Sequence, residues 1–382
     1  MSLTLTRDGE RFPVRAWAVA QNDGTVLDEI FPLSGSSWSC AFGGGSCSFT
    51  VDLNLTLRDG SGWDWAAIEY VGDLIDPGRR SVILTQGTTC LGEWWLTELD
   101  PQNATQVQLT GAGWEQYPSN RAILQRYKWP LSKDQMQAAK TLLVDAFSGA
   151  APNVTVPTPT DSGVDVEKDD RIDRYSTDYG QALDQLCDTD NGLEWMIVPT
   201  VTWSGGRPVS VTRTVQWGFP EIARSTSLVA TRPAAGERGG NVVSWGNPLD
   251  MSRLITQAVV TGRGSGKKLV HGSYTDAALI AAGYPPVVKI FSEPTIKKNG
   301  TANRRAKRRV SAARAALKVP NGVDLLVAES EAWPQVGDLI AAKIEPTPAD
   351  PDGFTGNLRA GEVSWTVTAG AVDVVTVKGV EQ

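Results

Sequence analysis

The sequence predicts a mainly β fold with α/β segments: two duplicated small β-barrels, the second interrupted by a helical insert, plus a mixed α/β domain. Three observations carry this. Short alternating apolar and polar runs bounded by Gly, Pro and Asp dominate both ends of the chain, the pattern of half-buried antiparallel strands. Fourteen Trp against eight Phe and seven Tyr sit mostly in such runs, as in "GEWWLTEL" and "VSWTVT", which places them in sheet cores. A set of short phrases also recurs at almost constant distance.

In chain order, "VRAWAVA", "SCSFTVDLNLTL", "SVILTQ", "GEWWLTELD" and "TQVQLTG" make residues 1–111 the first antiparallel barrel. The period then changes. Ser132 with Gln135 three residues on reads as a capping box, and "MQAAKTLLVDAF" carries apolar residues at helical spacing towards Gly149. After the connector "APNVTVPTPTDSG", a second helix opens near Thr177-Asp178, runs through "YGQALDQLCD", turns at "TDNG" and leads into "LEWMIVP". Residues 112–200 are therefore expected to be an α/β domain. Strand patterning returns in "TRTVQWG" and "RLITQAVVTG", a helical insert takes 267–318, and "VDLLVA", "GDLIAAKI", "GEVSWTVTAG" and "VDVVTVKG" follow. The second barrel is expected from 201–266 and 319–382 together.

The repeat joins the two ends. "VGDLI" occurs as Val71, Gly72, Asp73, Leu74, Ile75 and again as Val336, Gly337, Asp338, Leu339, Ile340. Gly92-Glu93 precedes "WWLTEL" as Gly361-Glu362 precedes "VSWTVT", and "VQLTG" at 107–111 answers "VTVKG" at 375–379. The offsets of 265, 269 and 268 point to one barrel duplicated in the chain. A turn into a strand suits both Gly-Asp pairs, because Gly takes positive φ and Asp bonds turn backbone; this is preferred to a catalytic Asp.

Composition excludes several classes. At 41% apolar and 21% charged residues the chain is ordinary for a folded soluble protein. The charged start "MSLTLTRDGERF" has no signal-peptide core, and no apolar run approaches bilayer length, so no membrane anchor is expected. Cys40, Cys47, Cys90 and Cys187 lack zinc-type pairing and are expected as reduced thiols. The loop "TGRGSGKKLVHG" has the look of a phosphate cradle but misses both templates. Thr261 stands where a Walker loop needs its first Gly, Lys268 where it needs Ser or Thr, and Lys267 where a dinucleotide fingerprint needs its third Gly. No cofactor is expected.

Nor is a catalytic set readable. His271 is the single histidine and lies beside a glycine turn with no local partner. Glu167, Asp169, Asp170 and Asp173 alternate with basic residues in a polar stretch, more the pattern of a solvated loop than of a glycosidase pair. The chain is expected not to be an enzyme.

Beyond these readings, the sequence resembles the tail-hub proteins of long-tailed bacteriophages. The order of barrel, α/β segment and interrupted second barrel carries the likeness. The phrases "GEWWLTELDPQNATQVQLTGAGWEQY", "DYGQALDQLCDTDNGLEWMIV" and "AGYPPVVKIFSEPTI" are similar to minor tail proteins of actinobacterial phages. The resemblance covers nearly the whole chain and implies a homotrimeric hub, synthesised in the host bacterial cytoplasm and located at the virion tail tip, that closes the distal end of the tail tube. The implied partners are itself as a trimer, the distal tail ring protein, the tape-measure protein and tip fibre or spike proteins, with transient passage of DNA. A trimer of duplicated barrels presents six near-equivalent modules to a sixfold tube and three copies of all else. Host-wall cleavage or receptor binding is expected to fall to another protein. The alternatives are a β-rich virion carbohydrate-binding (receptor-binding) module and, third, a carboxylate hydrolase. Burial of Trp63, Trp65, Trp94 and Trp95 discriminates hub from module.

Charge singles out one surface. Pro294 to Lys318 holds nine basic residues and no acidic one, and removing it takes the formal charge from −7 to −16. Within it Ala302, Ala306, Val310, Ala313 and Leu317 line one helical face. Arg304, Arg305, Arg308 and Arg309 occupy the remainder as the candidate subunit-interface residues; a solvated face screened by salt is the plain reading, and the more specific one is opposition to acidic surface of a neighbouring protein rather than DNA.

Overall fold

The computed structural model describes residues 3–7, 10–33, 35–56, 62–130, 133–149, 152–166, 171–172, 174–187, 192–233, 240–246, 254–294, 296–315, 322–326, 333–347, 353–367 and 374–380. Ser132, Leu317 and the carboxylates Glu167, Asp169, Asp170 and Asp173 lie outside the described residues.

Strands β1 (Leu3–Arg7), β2 (Glu10–Ala20), β3 (Val26–Ile30), β4 (Ser36–Ala41) and β5 (Ser46–Asp52) lead to helix α1 (Trp65–Leu74). An antiparallel meander follows: β6 (Arg80–Gln86), β7 (Thr89–Pro101) and β8 (Gln106–Ala112). A 3-10 turn, Trp114–Asn120, opens the mixed region. It continues as β9 (Tyr127–Lys128), α2 (Gln135–Ala146), β10 (Val154–Thr155), β11 (Arg171–Ile172) and α3 (Tyr179–Cys187). The long hairpin β12 (Glu194–Ser204) and β13 (Arg207–Gly218) closes it. After β14 (Arg224–Arg232) and β15 (Val242–Gly246) comes a compact unit of β16 (Gln257–Thr261), β17 (His271–Thr275), α4 (Ala277–Ala281), β18 (Val288–Ser292) and α5 (Asn299–Ala315). Strands β19 (Gly322–Leu325), β20 (Asp338–Ile344), β21 (Phe354–Val367) and β22 (Val375–Val380) complete the fold.

The fold is mainly β, with one large, predominantly antiparallel sheet and a few helices. That sheet runs β1-β2-β6-β7-β8-β5-β4-β21-β22-β19-β15, so the β-rich ends of the chain join where β4 pairs with β21, Trp38 opposite Trp365. Their cores merge there: Trp94 contacts both indoles, at ring-centroid separations of 5.1 and 6.2 Å. Each such buried ring removes a large apolar area from water, worth roughly 1.5–3 kcal/mol per side chain.

Two meanders, β6-β7-β8 and β20-β21-β22, each have a long central strand. The central strand pairs with its predecessor over its first half and its successor over its second. A bulge falls at Thr97 in one and at Gly361 in the other, and Gly111 and Gly379 face the residues just before them. The recurrence at 107–111 and 375–379 thus lands on equivalent backbone. Gly92 does not superpose on Gly361, because it pairs with Leu84 on the opposite side of β7, five residues before Thr97.

Val71–Ile75 corrects the reading of the repeat. It is not a turn into a strand but the end of α1, with Ile75 as its C-cap. Asp64 caps that helix by accepting from Ala67 N at 3.0 Å, and Ile68, Val71 and Leu74 fall on one side at helical spacing. Gly72 is helical, whereas Gly337 has φ 89° in a turn that Asp338 closes by accepting from Gln335 N at 2.8 Å. Leu74, Ile75, Val336 and Ile340 nonetheless all enter the same core. The shared phrase meets the same apolar demand on two different backbones.

Other boundaries move for local reasons. The edge expected at residue 200 cuts β12, which continues to a Gly205-Gly206 turn with φ of 58° and 78° and returns as β13. The mixed core, including Leu142, Leu183, Leu193 and Val215, needs both strands of that hairpin. Asp134 caps α2, accepting from Met136 N at 2.7 Å. The insert is not wholly helical and begins before residue 267: α5 lies on the sheet β17-β16-β18, and its buried Ala302, Ala306, Val310 and Ala313 pack against Ala258 and Val260.

Candidate functional site: assembly surfaces and the ties behind them

Two ion pairs, one fully buried and one with its carboxylate half-buried, fasten the β-rich ends to the β12–β13 hairpin. At the first, Arg213 from β13 donates to Glu93 of β7 through Nε at 2.9 Å and Nη2 at 2.7 Å, with both side chains out of contact with water. Ser81 Oγ also donates to Glu93, at 2.6 Å, and Arg213 Nη1 donates to Gln21 O at 3.0 Å. The guanidinium stands 4.9 Å from the Trp114 ring centroid. Each charged group of this cluster is matched, which a buried charge requires, while the Trp114 Nε1 beside it is buried without a hydrogen-bond partner.

At the second tie, Arg359 of β21 pairs with Glu194 of β12, donates from Nε to Ile222 O at 3.0 Å and stacks 4.7 Å from the Phe42 centroid. Burial raises the Glu194 carboxyl despite the neighbouring guanidinium. Burial likewise raises Asp338, which faces Arg224 at 3.3 Å.

Between the ties lies a cavity of about 90 Å³, bordered by Cys40, Cys90, Glu115, Met196, Arg224 and Trp365. Glu115 accepts from Ile197 N at 2.7 Å, and burial pushes its carboxyl up to about 7. The four cysteines are free; burial pushes the Cys90 thiol up to about 12 and raises Cys40 and Cys47 as well. These thiols are core residues held in the neutral form.

The basic helix divides its arginines. Arg304 is exposed and Arg308 and Arg309 are half-buried, but Arg305 is only 4% exposed, which corrects its placement on an outward face. Arg305 donates from Nη2 to Gln185 O at 3.0 Å and lies 3.6 Å from Glu293. Gln185 is in the last turn of α3, whose carbonyls lack helical partners, so the guanidinium caps a helix C-terminus and neutralises its dipole. Arg309 pairs with Glu293 at 3.5 Å and covers Phe291 at 5.2 Å. Arg305 and Arg309 therefore have work inside this chain.

The glycine-rich loop connects the antiparallel pair β16–β17, with three residues of 3-10 turn and Gly264 and Gly266 at positive φ. His271 is exposed, with Nδ1 3.3 Å from Leu269 O. Trp94 is buried and Trp95 half-buried against Trp114 and Tyr117, whereas Trp63 and Trp65 are exposed, the latter by 70%. Sequence reasoning missed the Arg213–Glu93 and Arg359–Glu194 ties, whose partners are 120 and 165 residues apart and share no local pattern.

No protein-family model matches the chain, and no curated protein matches it in sequence. Solved structures do. The chain is similar to the 43 kDa tail protein of prophage MuSo2 from Shewanella oneidensis, at 8% identity and a TM-score of 0.57, covering 96% of this chain and 98% of that one. It is also similar to a tail protein from Neisseria meningitidis MC58, at 11% identity and a TM-score of 0.55, covering 97% and 96%. Along nearly its whole length the chain has the fold of phage tail proteins.

Proposed function

We propose that this chain is a structural protein of a phage virion, a homotrimeric hub that closes the distal end of the tail tube and adapts its sixfold symmetry to a threefold tip. The observation that carries the reading is the end-to-end fold likeness to two tail proteins, which covers both partners almost completely. The paired meanders fit the role: three copies of a chain with two related modules offer six related surfaces to a ring. In this reading the ring side contacts the distal tail ring protein and the tape-measure protein, the far side receives fibre or spike proteins, and DNA passes through the centre. The hub acts by position and carries out no catalysis.

Sedimentation of the purified chain tests this. A particle of three times 41.0 kDa is expected, in solution or on addition of the tail ring protein. A chain that stays monomeric under both conditions overturns the hub.

One observation favours a second reading. Trp63, Trp65 and Tyr70 are exposed together on and beside α1, where Tyr70 donates to Asp28 Oδ2 at 2.8 Å. Exposed rings of this kind stack on sugar faces, so binding of cell-wall polysaccharide, lost in Trp65→Ala, would make this chain a receptor-binding module instead.

A further inference from the structure

The sheet β17-β16-β18 has two outer edges, and they are treated differently. On β17 the outward amides are taken: His271 N donates to Asn299 Oδ1 at 3.1 Å and Ser273 N to Asn303 Oδ1 at 2.9 Å. The two asparagines are one turn apart on α5, so the helix closes that edge as it crosses Gly272.

On β18 no such cover exists among the described residues. The ladder to β16 is fixed at its ends by Gln257 N donating to Val287 O at 3.0 Å and Glu293 N donating to Thr261 O at 2.7 Å. In a parallel ladder alternate residues bond the same neighbour, so Val287, Lys289, Phe291 and Glu293 face β16. The N–H and C=O of Val288, Ile290 and Ser292 point outward. Two side chains of this outward set are apolar and open to water, Val288 by 52% and Ile290 by 71%, and the third is the hydroxyl of Ser292. An uncovered edge carrying exposed Val and Ile is what folded proteins ordinarily avoid.

Charge names the occupant. Residues 254–315 hold twelve Lys and Arg against two Asp and Glu, a balance of +10, leaving 24 basic against 41 acidic residues in the rest of the chain, a balance of −17. A second copy of the chain brings acidic surface to this basic unit; an unrelated basic or neutral protein does not.

We propose that the outer edge of β18 is a docking edge, on which an extended segment from the acidic body of a neighbouring copy pairs with Val288–Ser292. Backbone hydrogen bonds supply the register, Val288 and Ile290 supply apolar contact, and the basic unit selects the partner. The inference rests on the trimeric reading above. A threefold ring needs head-to-tail contacts, so β18 meets a different segment of its neighbour rather than the neighbour's β18.

The test is hydrogen–deuterium exchange of the full chain, resolved to single amides, with sedimentation at the same concentrations. On association the amides of Val288, Ile290 and Ser292 are expected to slow at least tenfold, while those of Lys289 and Phe291 are protected throughout. Ile290→Pro removes one outward donor and no bond to β16, and should weaken association at least tenfold. Val288→Lys with Ile290→Lys should do the same with the backbone unchanged, and unaltered circular dichroism shows that both variants fold. A trimer whose three outward amides still exchange fast overturns the docking edge and leaves the hub standing. A twofold particle with those amides protected keeps the edge and overturns the trimer. A chain that remains at 41.0 kDa at its highest soluble concentration and also with the tail ring protein, with the amides unprotected, overturns both. Protection by a short DNA duplex without change in protein stoichiometry overturns the proposal in favour of nucleic acid.

Discussion

Replacing Arg213 by Ala separates the first β-rich end from the mixed region at one defined point. The substitution leaves Glu93 with its carboxylate still buried, its one remaining hydrogen bond in this cluster coming from Ser81 Oγ, and it orphans Gln21 O. Removing one partner of a buried pair costs about 3–5 kcal/mol, since the charge left behind loses its neutralising neighbour and gains no water. The carbonyl adds about 1 kcal/mol or more. Arg213→Ala should therefore lose at least about 4 kcal/mol in urea denaturation, with Glu93→Ala losing a similar amount. The double variant Glu93→Leu with Arg213→Met fills the same space without charge and should recover most of the loss. The double-mutant cycle gives a large coupling energy if the pair acts as one unit. Additive losses, or a loss near 1 kcal/mol for Arg213→Ala, would refute the tie and reduce the pair to ordinary packing.

The two repeat glycines should respond with opposite signs. Gly72→Ala, helical with open space around its Cβ, should stabilise by about 0.5 kcal/mol, while Gly337→Ala, at φ 89° with Ile222 Cγ2 2.9 Å from the added carbon, should cost about 2 kcal/mol. Equal effects in urea unfolding would mean equivalent backbones. Glu115 prefers the protonated form when folded, its carboxyl lifted from 4.5 to about 7, so its contribution is full below the unfolded value and falls as pH rises through 4.5–7. The loss is on the order of 3 kcal/mol, and Glu115→Gln should flatten that segment of the stability profile; an unchanged profile would remove Glu115 as its source. Arg305→Glu should lower the melting temperature by breaking the α3 cap, and by more than Arg304→Glu, whose side chain is exposed. Identical melting shifts would refute the division of the helix into inward and outward arginines.

How far the sequence reaches depends on whether a signal is local. The face of α5 was legible because Ala302, Ala306, Val310 and Ala313 obey one period, and all are buried. Arg305 was not: its spacing places it among charged neighbours, and its carbonyl partner is 120 residues away. Helix α1 was read as part of a strand-only barrel, although Asp64 before Ile68, Val71 and Leu74 is a start signal with a period of its own. The Gly-Gly turn at 205–206, between alternating runs, likewise marks the β12–β13 hairpin locally. The recurrence of "VGDLI" was real and misleading together, because five residues report apolar demand but not the backbone that meets it.

The candidate site differs from the body in how its polar groups are satisfied. Glu93, Arg213, Glu194 and Arg359 are matched inside the chain, so these ties fasten the β-rich ends to the mixed region. The unit at 254–315 is fastened differently. Arg305 reaches α3, Arg314 pairs with Asp276 at 3.1 Å, and Glu293 takes two arginines, yet a balance of +10 remains on a small sheet with one uncovered edge. Exposed charges attract weakly across physiological salt, where the screening length is about 8 Å. Charge therefore selects and orients an acidic neighbour but does not hold it. Retention needs contacts that salt does not screen, and β18 offers both kinds in the same five residues: outward backbone groups and an apolar Val288 and Ile290. Steering and holding thus lie side by side on the insert, while the body behind it keeps its two ties paired and carries the acidic surplus of −17 that a neighbouring insert would meet.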